Sequence, residues 1–211
     1  MIAVIDYGAG NLRSIRRALE ASGATVVVTD NPAEVATADA VVLPGVGAAG
    51  AAMNRLTEMG MDRVIRDAAG AGKPFLGICL GMQLLFEEQE EGDTRGLGLL
   101  GGCVRGLLPA VKIPHMGWNR SRILKDGPLG VEGDERDYYF VHSYIVEPDH
   151  QDDVAAVVHY GETFPSIVAH DNIWGTQFHP EKSGADGLRL IDAFAAQATV
   201  AGRRAESVAA R

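Results

Sequence analysis

Apolar positions in the first half of the chain follow two alternating rhythms. Short aliphatic and β-branched runs, Ile2 to Ile5, Thr25 to Thr29 and Ala40 to Leu43, have the length and composition of buried strands. Between the first two, Leu12, Ile15 and Leu19 recur at helical spacing, and further helical material spans Met53 to Ala69. The run Pro74-Phe75-Leu76 leads into another strand ending at Cys79, and Met82 to Glu87 has helix-forming composition directly after it. Strands alternating with amphipathic helices predict a parallel sheet covered on its faces. The second half holds shorter β-rich pieces: Cys103 to Arg105, Tyr139 to Val141, Val154 to His159, Ser166 to Ala169 and Ile173 to Gln177. Leu188, Ile191 and Phe194 then mark a last amphipathic helix. The expected fold class is α/β, with a mostly parallel central sheet flanked by helices and an antiparallel β elaboration in the second half. With no internal repeat and no long linker, residues 1–197 are expected to form a single domain. The Ala- and Arg-rich stretch 198–211 has few apolar anchors and is expected to fray.

Composition narrows the class. The 211 residues are 46% hydrophobic and 22% charged, a globular balance with enough chain to bury a substantial core. A formal net charge of −9 disfavours nucleic acid as a partner. The longest apolar runs are far too short to span a bilayer, and the opening residues lack the basic start of a secretory signal. Two cysteines, Cys79 and Cys103, argue against a disulfide framework. A cytoplasmic protein with no membrane partner is expected.

The chemistry concentrates at Gly77-Ile78-Cys79-Leu80-Gly81. A nucleophile at a sharp strand-to-helix turn needs small neighbours on both sides, and a helix N-terminus favours thiolate over thiol. Tight helix–strand packing would also account for the glycines. Cys103 has no such setting and reads as structural. Farther on, Gln177-Phe178-His179-Pro180-Glu181 offers a base and a carboxylate to orient it. In extended backbone alternate side chains point the same way, so Glu181 can reach the His179 imidazole. Oxyanion donors are expected from the Leu80 backbone N–H and from the glycine-rich turn Leu43-Pro44-Gly45-Val46-Gly47. Gln83, four residues past Cys79, shares its helical face and is either a substrate-contacting amide or an exposed helix residue.

Rival chemistries fit less of the chain. Gly8-Ala9-Gly10 after the first strand, with Asp30 ending the second, suggests dinucleotide binding, but Arg13 stands at the third glycine position and the cysteine elbow stays unexplained. The six histidines show no metal-ligand spacing such as H-E-x-x-H, so no metal or other cofactor is expected. A cysteine peptidase and a catalytically silent binding module remain open on the residues alone.

Gly77 to Gln83 together with His179-Pro180-Glu181 resembles the class I, triad-type glutamine amidotransferases. Five further runs resemble the glutaminase subunits of imidazole glycerol phosphate synthase within that family: Asp6-Tyr7-Gly8-Ala9-Gly10-Asn11, Pro44 to Gly47, Pro114-His115-Met116-Gly117-Trp118-Asn119, Val141-His142-Ser143-Tyr144 and His179 to Ser183. The resemblance implies that Cys79 is the nucleophile, His179 the acid/base and Glu181 its partner. It places Leu80 and Val46 at the oxyanion positions and Gly45, Gln83, Ser143 and Tyr144 around glutamine. It further implies a heterodimer with a (β/α)8-barrel cyclase that consumes the ammonia in histidine biosynthesis, with Asn11, His115, Met116, Trp118, Asn119 and Lys182 toward that partner. Glutaminase subunits serving anthranilate or pyridoxal phosphate synthesis are the alternative. One departure concerns the Pro-Gly-Val-Gly turn, where the family usually carries an aromatic two positions on and this chain has Ala48-Ala49.

Overall fold

Five strands, each too apolar for an exposed face, align in parallel at the centre of the molecule. The computed structural model describes residues 1–209, with side chains to residue 203. Strands β1 (Ile2–Ile5), β2 (Val26–Thr29), β3 (Ala40–Gly45) and β4 (Phe75–Cys79) alternate with helices α1 (Leu12–Ala21), α2 (Pro32–Thr37), α3 (Ala49–Glu58) and α4 (Met61–Gly70). A single helical turn, α5 (Leu80–Gln83), follows β4, and β5 (Phe86–Gln89), β6 (Thr94–Arg95) and β7 (Leu100–Gly106) come next. The second half supplies β8 (His115–Ile123), β9 (Glu135–His142), β10 (Tyr144–Pro148), β11 (Val154–Tyr160), β12 (Glu162–His170), β13 (Ile173–Thr176) and α6 (Gly184–Ala209).

Nine strands form one sheet in the order β2-β1-β3-β4-β13-β12-β11-β8-β9. The segment from β2 to β13 is parallel, and from β13 to β9 every pairing is antiparallel. The other four strands make a small sheet, β10-β7-β5-β6. One hydrophobic cluster joins α1 and α6 to the main sheet through Ile15, Leu19, Leu190, Ile191 and Phe194. A second, on the opposite face, gathers Leu56, Met61, Ile65, Met82, Leu85 and Phe86. The α/β class and the antiparallel elaboration are those expected from sequence.

Two elements differ from expectation. The helix expected over Met82 to Glu87 is replaced by α5, which stops at Gln83, and Phe86 already belongs to β5. Phe86 and the buried Gln89 face inward on a strand, and the Gln89 side-chain amide donates to the carbonyls of Gln83 and Phe86, which closes the turn. The helical stretch Met53 to Ala69 divides into α3 and α4 because Gly60 adopts the left-handed conformation (φ +67°) between them. Of the expected tail 198–211, residues up to 209 continue α6, with Ala198 in the core, whereas 210 and 211 lie outside the described residues.

Candidate active site

Parallel α/β sheets offer their binding crevices at the carboxyl ends of the strands, where each strand gives way to a loop. Here β3 and β4 end side by side, with Gly45 in register with Cys79. On the other flank of β4 lies β13, which pairs Thr176 with Ile78 and so delivers His179, three residues later, to the same edge. Residues separated by a hundred positions are thereby brought together.

Cys79 sits at φ +56°, ψ −111°, a backbone conformation that side chains other than glycine rarely adopt. Close packing holds it there. A Cβ on Gly81 would lie 1.9 Å from the Leu43 carbonyl oxygen, and one on Gly77 would lie 2.6 Å from the Gly81 carbonyl. The two glycines flanking the cysteine are thus required by backbone against backbone, a sharper reason than helix–strand packing alone. Gly45 belongs to the same knot, since its Cβ would meet Gly81 N and the Tyr7 hydroxyl at 2.8 Å. The Cys79 thiol points to the Val141 carbonyl at 3.7 Å and receives the Gln177 side-chain amide at 3.9 Å.

His179 and Glu181 meet as expected, by a different route. Only His179 is extended (φ −97°, ψ 98°); Pro180–Lys182 curls into a 3-10 turn that swings the carboxylate back. His179 Nδ1 lies 3.0 Å from Glu181 Oε1, both side chains being essentially buried. The turn is clamped from β9: Tyr139 O accepts from His179 N at 3.0 Å, and Ser183 Oγ both donates to His179 O and accepts from Tyr139 N. Burial would lower the imidazole pKa, but the nearby Cys79 sulfur and the Glu181 carboxylate outweigh it and push the value from 6.5 up to about 9. Nδ1 is taken by the carboxylate, so Nε2 is the nitrogen left for the sulfur.

At Cys79 opens a cavity of about 330 Å³, lined among others by Val46, Gln83, Glu91, Ser143 and Tyr144. Gln83 is buried, so the exposed-helix alternative falls away; its side-chain amide donates to Tyr144 O at 2.9 Å and to Gln177 Oε1 at 3.2 Å. Val46 and Leu80 line this cavity, whereas Gly45 does not line it and packs against Leu80 and Gly81; Gly47 turns the chain at φ +94°.

Three participants carried no sequence signal strong enough to find. Glu91 accepts from the Ala49 N–H at 2.7 Å, so its carboxylate serves the α3 N-terminus that Ala48, at the cap position, has no side chain to satisfy. This contact also ties down the turn where the family's usual aromatic is missing. Gln177 stands two residues before His179, at a position that in sequence marks only the end of a strand, and its side chain joins Gln83 to the Cys79 sulfur. Tyr7, inside the opening glycine-rich run, buries its hydroxyl against Gly45; burial first, and the Cys79 charge second, hold that phenol well above its usual range.

The residues expected to face a partner divide. Met116 and Trp118 are 63% and 60% exposed, and Lys182 is exposed on the 3-10 turn. Trp118 packs edge-on to Tyr139 and lies beside Gly184. Asn11 stands at the N-cap of α1, which packs against the same turn, and its side chain makes no cap bond. His115 corrects the expectation. It is 3% exposed, because strand alternation on β8 sends Met116 and Trp118 outward and His115 inward, where it stacks between Phe140 and Tyr160. Asn119 is half-buried beside it.

Comparison with known proteins places this geometry. The profile described as glutamine amidotransferase class-I matches residues 3–198. Among curated relatives, the imidazole glycerol phosphate synthase subunit HisH of Salinibacter ruber is 50% identical over 208 residues, covering 94% of this chain and 95% of that protein. The protein of the same description from Halobacterium salinarum is 48% identical, covering 92% and 91%. Among solved structures, a glutamine amidotransferase superposes with a TM-score of 0.75 at 19% identity, covering 94% of this chain and all of that one. The Trypanosoma brucei CTPS glutaminase domain with bound acivicin superposes at 0.63 and 16% identity, each chain covered to 93%. At those identities the structural likeness speaks to fold.

Proposed function

This chain belongs to the class I glutamine amidotransferases, and we propose that it works as the glutaminase subunit of an imidazole glycerol phosphate synthase. Its proposed catalytic residues are Cys79, His179 and Glu181. One observation carries this assignment: a strained cysteine at a strand end shares its buried edge with an imidazole whose other nitrogen is held by a carboxylate at 3.0 Å.

In this reading the Cys79 thiolate attacks the side-chain amide carbon of glutamine. The tetrahedral oxyanion is met by the backbone N–H groups of Leu80 and Val46. His179, protonated at neutral pH by its raised pKa, delivers a proton from Nε2 to the departing nitrogen, and ammonia leaves with the thioester in place. The same imidazole, now neutral, takes a proton from water as the water attacks the thioester, and glutamate is released. Glu181 keeps the ring in the required tautomer and stabilises its charge. At the cavity wall the Glu91 carboxylate suits the α-ammonium of the substrate, and Gln83, Ser143 and Tyr144 frame the remainder.

The ammonia is passed to a separate (β/α)8-barrel cyclase, which makes imidazole glycerol phosphate and aminoimidazole carboxamide ribotide in histidine biosynthesis. Support comes from the relatives' description and from the exposed apolar pair Met116 and Trp118 next to Lys182, a face suited to a protein partner. Mixing the chain with such a cyclase and its nucleotide substrate tests the proposal. Glutamate release should rise on mixing. Cys79→Ala should abolish glutamine-dependent synthesis and leave ammonia-dependent synthesis intact. Glutamine use by the substituted complex would remove Cys79 from the mechanism.

A further inference from the structure

Three histidines surround the site, and the proposed chemistry uses only one. The other two form a pair. His115 on β8 and His142 on β9 are register partners, with His115 Nδ1 and His142 Nε2 2.9 Å apart. Both are buried, and His142 lines the cavity beside Cys79.

The direction of every hydrogen bond in this group is fixed from its two ends. At the outer end, Asn119 Oδ1 accepts from Arg120 N at 2.8 Å, and Asn119 Nδ2 donates to the His159 carbonyl at 3.0 Å. The amide nitrogen has only donors to give, so His115 Nε2, 3.2 Å away, must accept. The proton of a neutral His115 then sits on Nδ1 and is donated to His142 Nε2. His142 in turn carries its proton on Nδ1 and donates it to the Tyr144 carbonyl at 2.9 Å. That carbonyl also takes Gln83 Nε2, which reaches Gln177 Oε1, and Gln177 Nε2 ends on the Cys79 sulfur. Donors therefore run one way from Asn119 through both imidazoles to the Tyr144 carbonyl, where reversing one link forces the next to reverse or break; a second run leads from Gln83 through Gln177 to the Cys79 sulfur, and the two meet on that carbonyl, which accepts from both.

We propose that His115 and His142 are positioning residues: as a neutral pair in a single tautomer, they fix the Tyr144 carbonyl, and through it the Gln83 and Gln177 amides beside Cys79, from the Asn119 amide on β8. The inference rests on the reading of this cavity as the glutamine site. Surroundings favour the neutral form. His115 lies between the rings of Phe140 and Tyr160 with Phe164 at its edge, while His142 faces His115, Phe140 and Phe164. The titratable groups facing the pair are Tyr160 and His179, and the His179 charge works against a second one nearby. Burial pushes His115 down to about 4; burial first, then the His115 and His179 charges, push His142 down to about 3 despite the Tyr144 hydrogen bond.

The test begins with long-range proton–nitrogen NMR of the full chain labelled in its imidazoles. Both rings should appear at neutral pH as the Nδ1–H tautomer. An Nε2–H or doubly protonated ring at either position overturns the proposal, whether or not glutamine is hydrolysed, so this arm stands apart from the glutaminase reading. Asn119→Asp offers only acceptors at the outer end and should abolish the neutral Nδ1–H form of His115; an unchanged spectrum would detach the chain from Asn119. Glutamate release then separates positioning from mere filling. His142→Asn keeps a donor near Tyr144 O and should hold KM for glutamine near wild type. His142→Gln keeps only the link toward His115 and should raise KM about five- to tenfold with little change in kcat, the factor one lost neutral hydrogen bond supplies. Equal KM effects from the two substitutions would refute a positioning role. Wild-type tautomers as expected with no hydrolysis of glutamine at all would instead refute the glutaminase reading.

Discussion

Acid should destabilise this protein through His142 in a way one substitution can isolate. Its folded pKa, about 3, lies below the unfolded value of 6.5, so the stabilising difference is fully present above 6.5 and is lost as pH falls. Between pH 7 and pH 4.5 the unfolded imidazole gains a proton that the folded one refuses. Two pH units below the unfolded pKa, at about 1.4 kcal/mol per unit, give a loss of about 2–3 kcal/mol. Any folded value below about 4 gives nearly the same figure at that pH. His179, whose raised pKa alters stability chiefly between 6.5 and about 9, where stability falls as pH rises, is present in both proteins and largely cancels. His115 is present in both proteins and largely cancels. Urea unfolding of wild type and His142→Asn at stepped pH reads the difference directly. The two free energies should draw together by about 2–3 kcal/mol from pH 7 to 4.5, or about 1 M in midpoint for a slope near 2–3 kcal/mol/M. Curves that stay parallel would show that His142 takes up protons as readily folded as unfolded, and the buried neutral pair would be wrong.

Two other substitutions probe the surroundings of Cys79. Glu181→Gln keeps a hydrogen-bond acceptor for His179 Nδ1 but removes a charge that helps hold the imidazole pKa near 9, so the alkaline limb of kcat/KM should move to lower pH by at least about half a unit; an unmoved limb would deny Glu181 its electrostatic part. Gly81→Ala forces a methyl to 1.9 Å from the Leu43 carbonyl and should cost about 3 kcal/mol or more in denaturant unfolding, whereas Gly70→Ala, at the end of α4 with open space around it, should be neutral or stabilising. Similar costs at the two positions would refute the account of the elbow as backbone packed on backbone.

Which parts of this architecture were legible in the sequence follows from how local their causes are. The first four parallel strands announce themselves as apolar runs because both faces of each are covered, and Cys79 announces itself because its glycines are adjacent in sequence. The turn after it misled: Met82 to Glu87 has helical composition, yet Phe86 gains more by entering the second core on a strand, and a propensity summed over six residues is too weak to oppose that burial. Strand β8 was invisible as a strand, since its residues alternate between an exposed, functional-looking face and a buried polar one, and Met116, Gly117 and Trp118 do not read as a buried run. Glu91 could not be found at all from spacing, as its role depends on a loop that folds back across 42 positions to reach Ala49.

The three histidines also show why burial alone predicts nothing about the charge at such a site. Desolvation acts in the same direction on His115, His142 and His179, disfavouring the cation in each. What separates them is the company on each ring nitrogen. His142 has a carbonyl on one side and a neutral imidazole donor on the other, so an added proton would point at a donor and break a bond. His179 has a carboxylate on Nδ1 and the Cys79 sulfur nearby, and both favour the added proton. One sheet edge thus holds an imidazole whose surroundings favour its cation and, beside it, a pair that can keep direction only while it stays uncharged. Protonating the pair would turn its Nε2 acceptors into donors, and the first carbonyl to feel the change would be that of Tyr144, on the wall of the cavity beside Cys79.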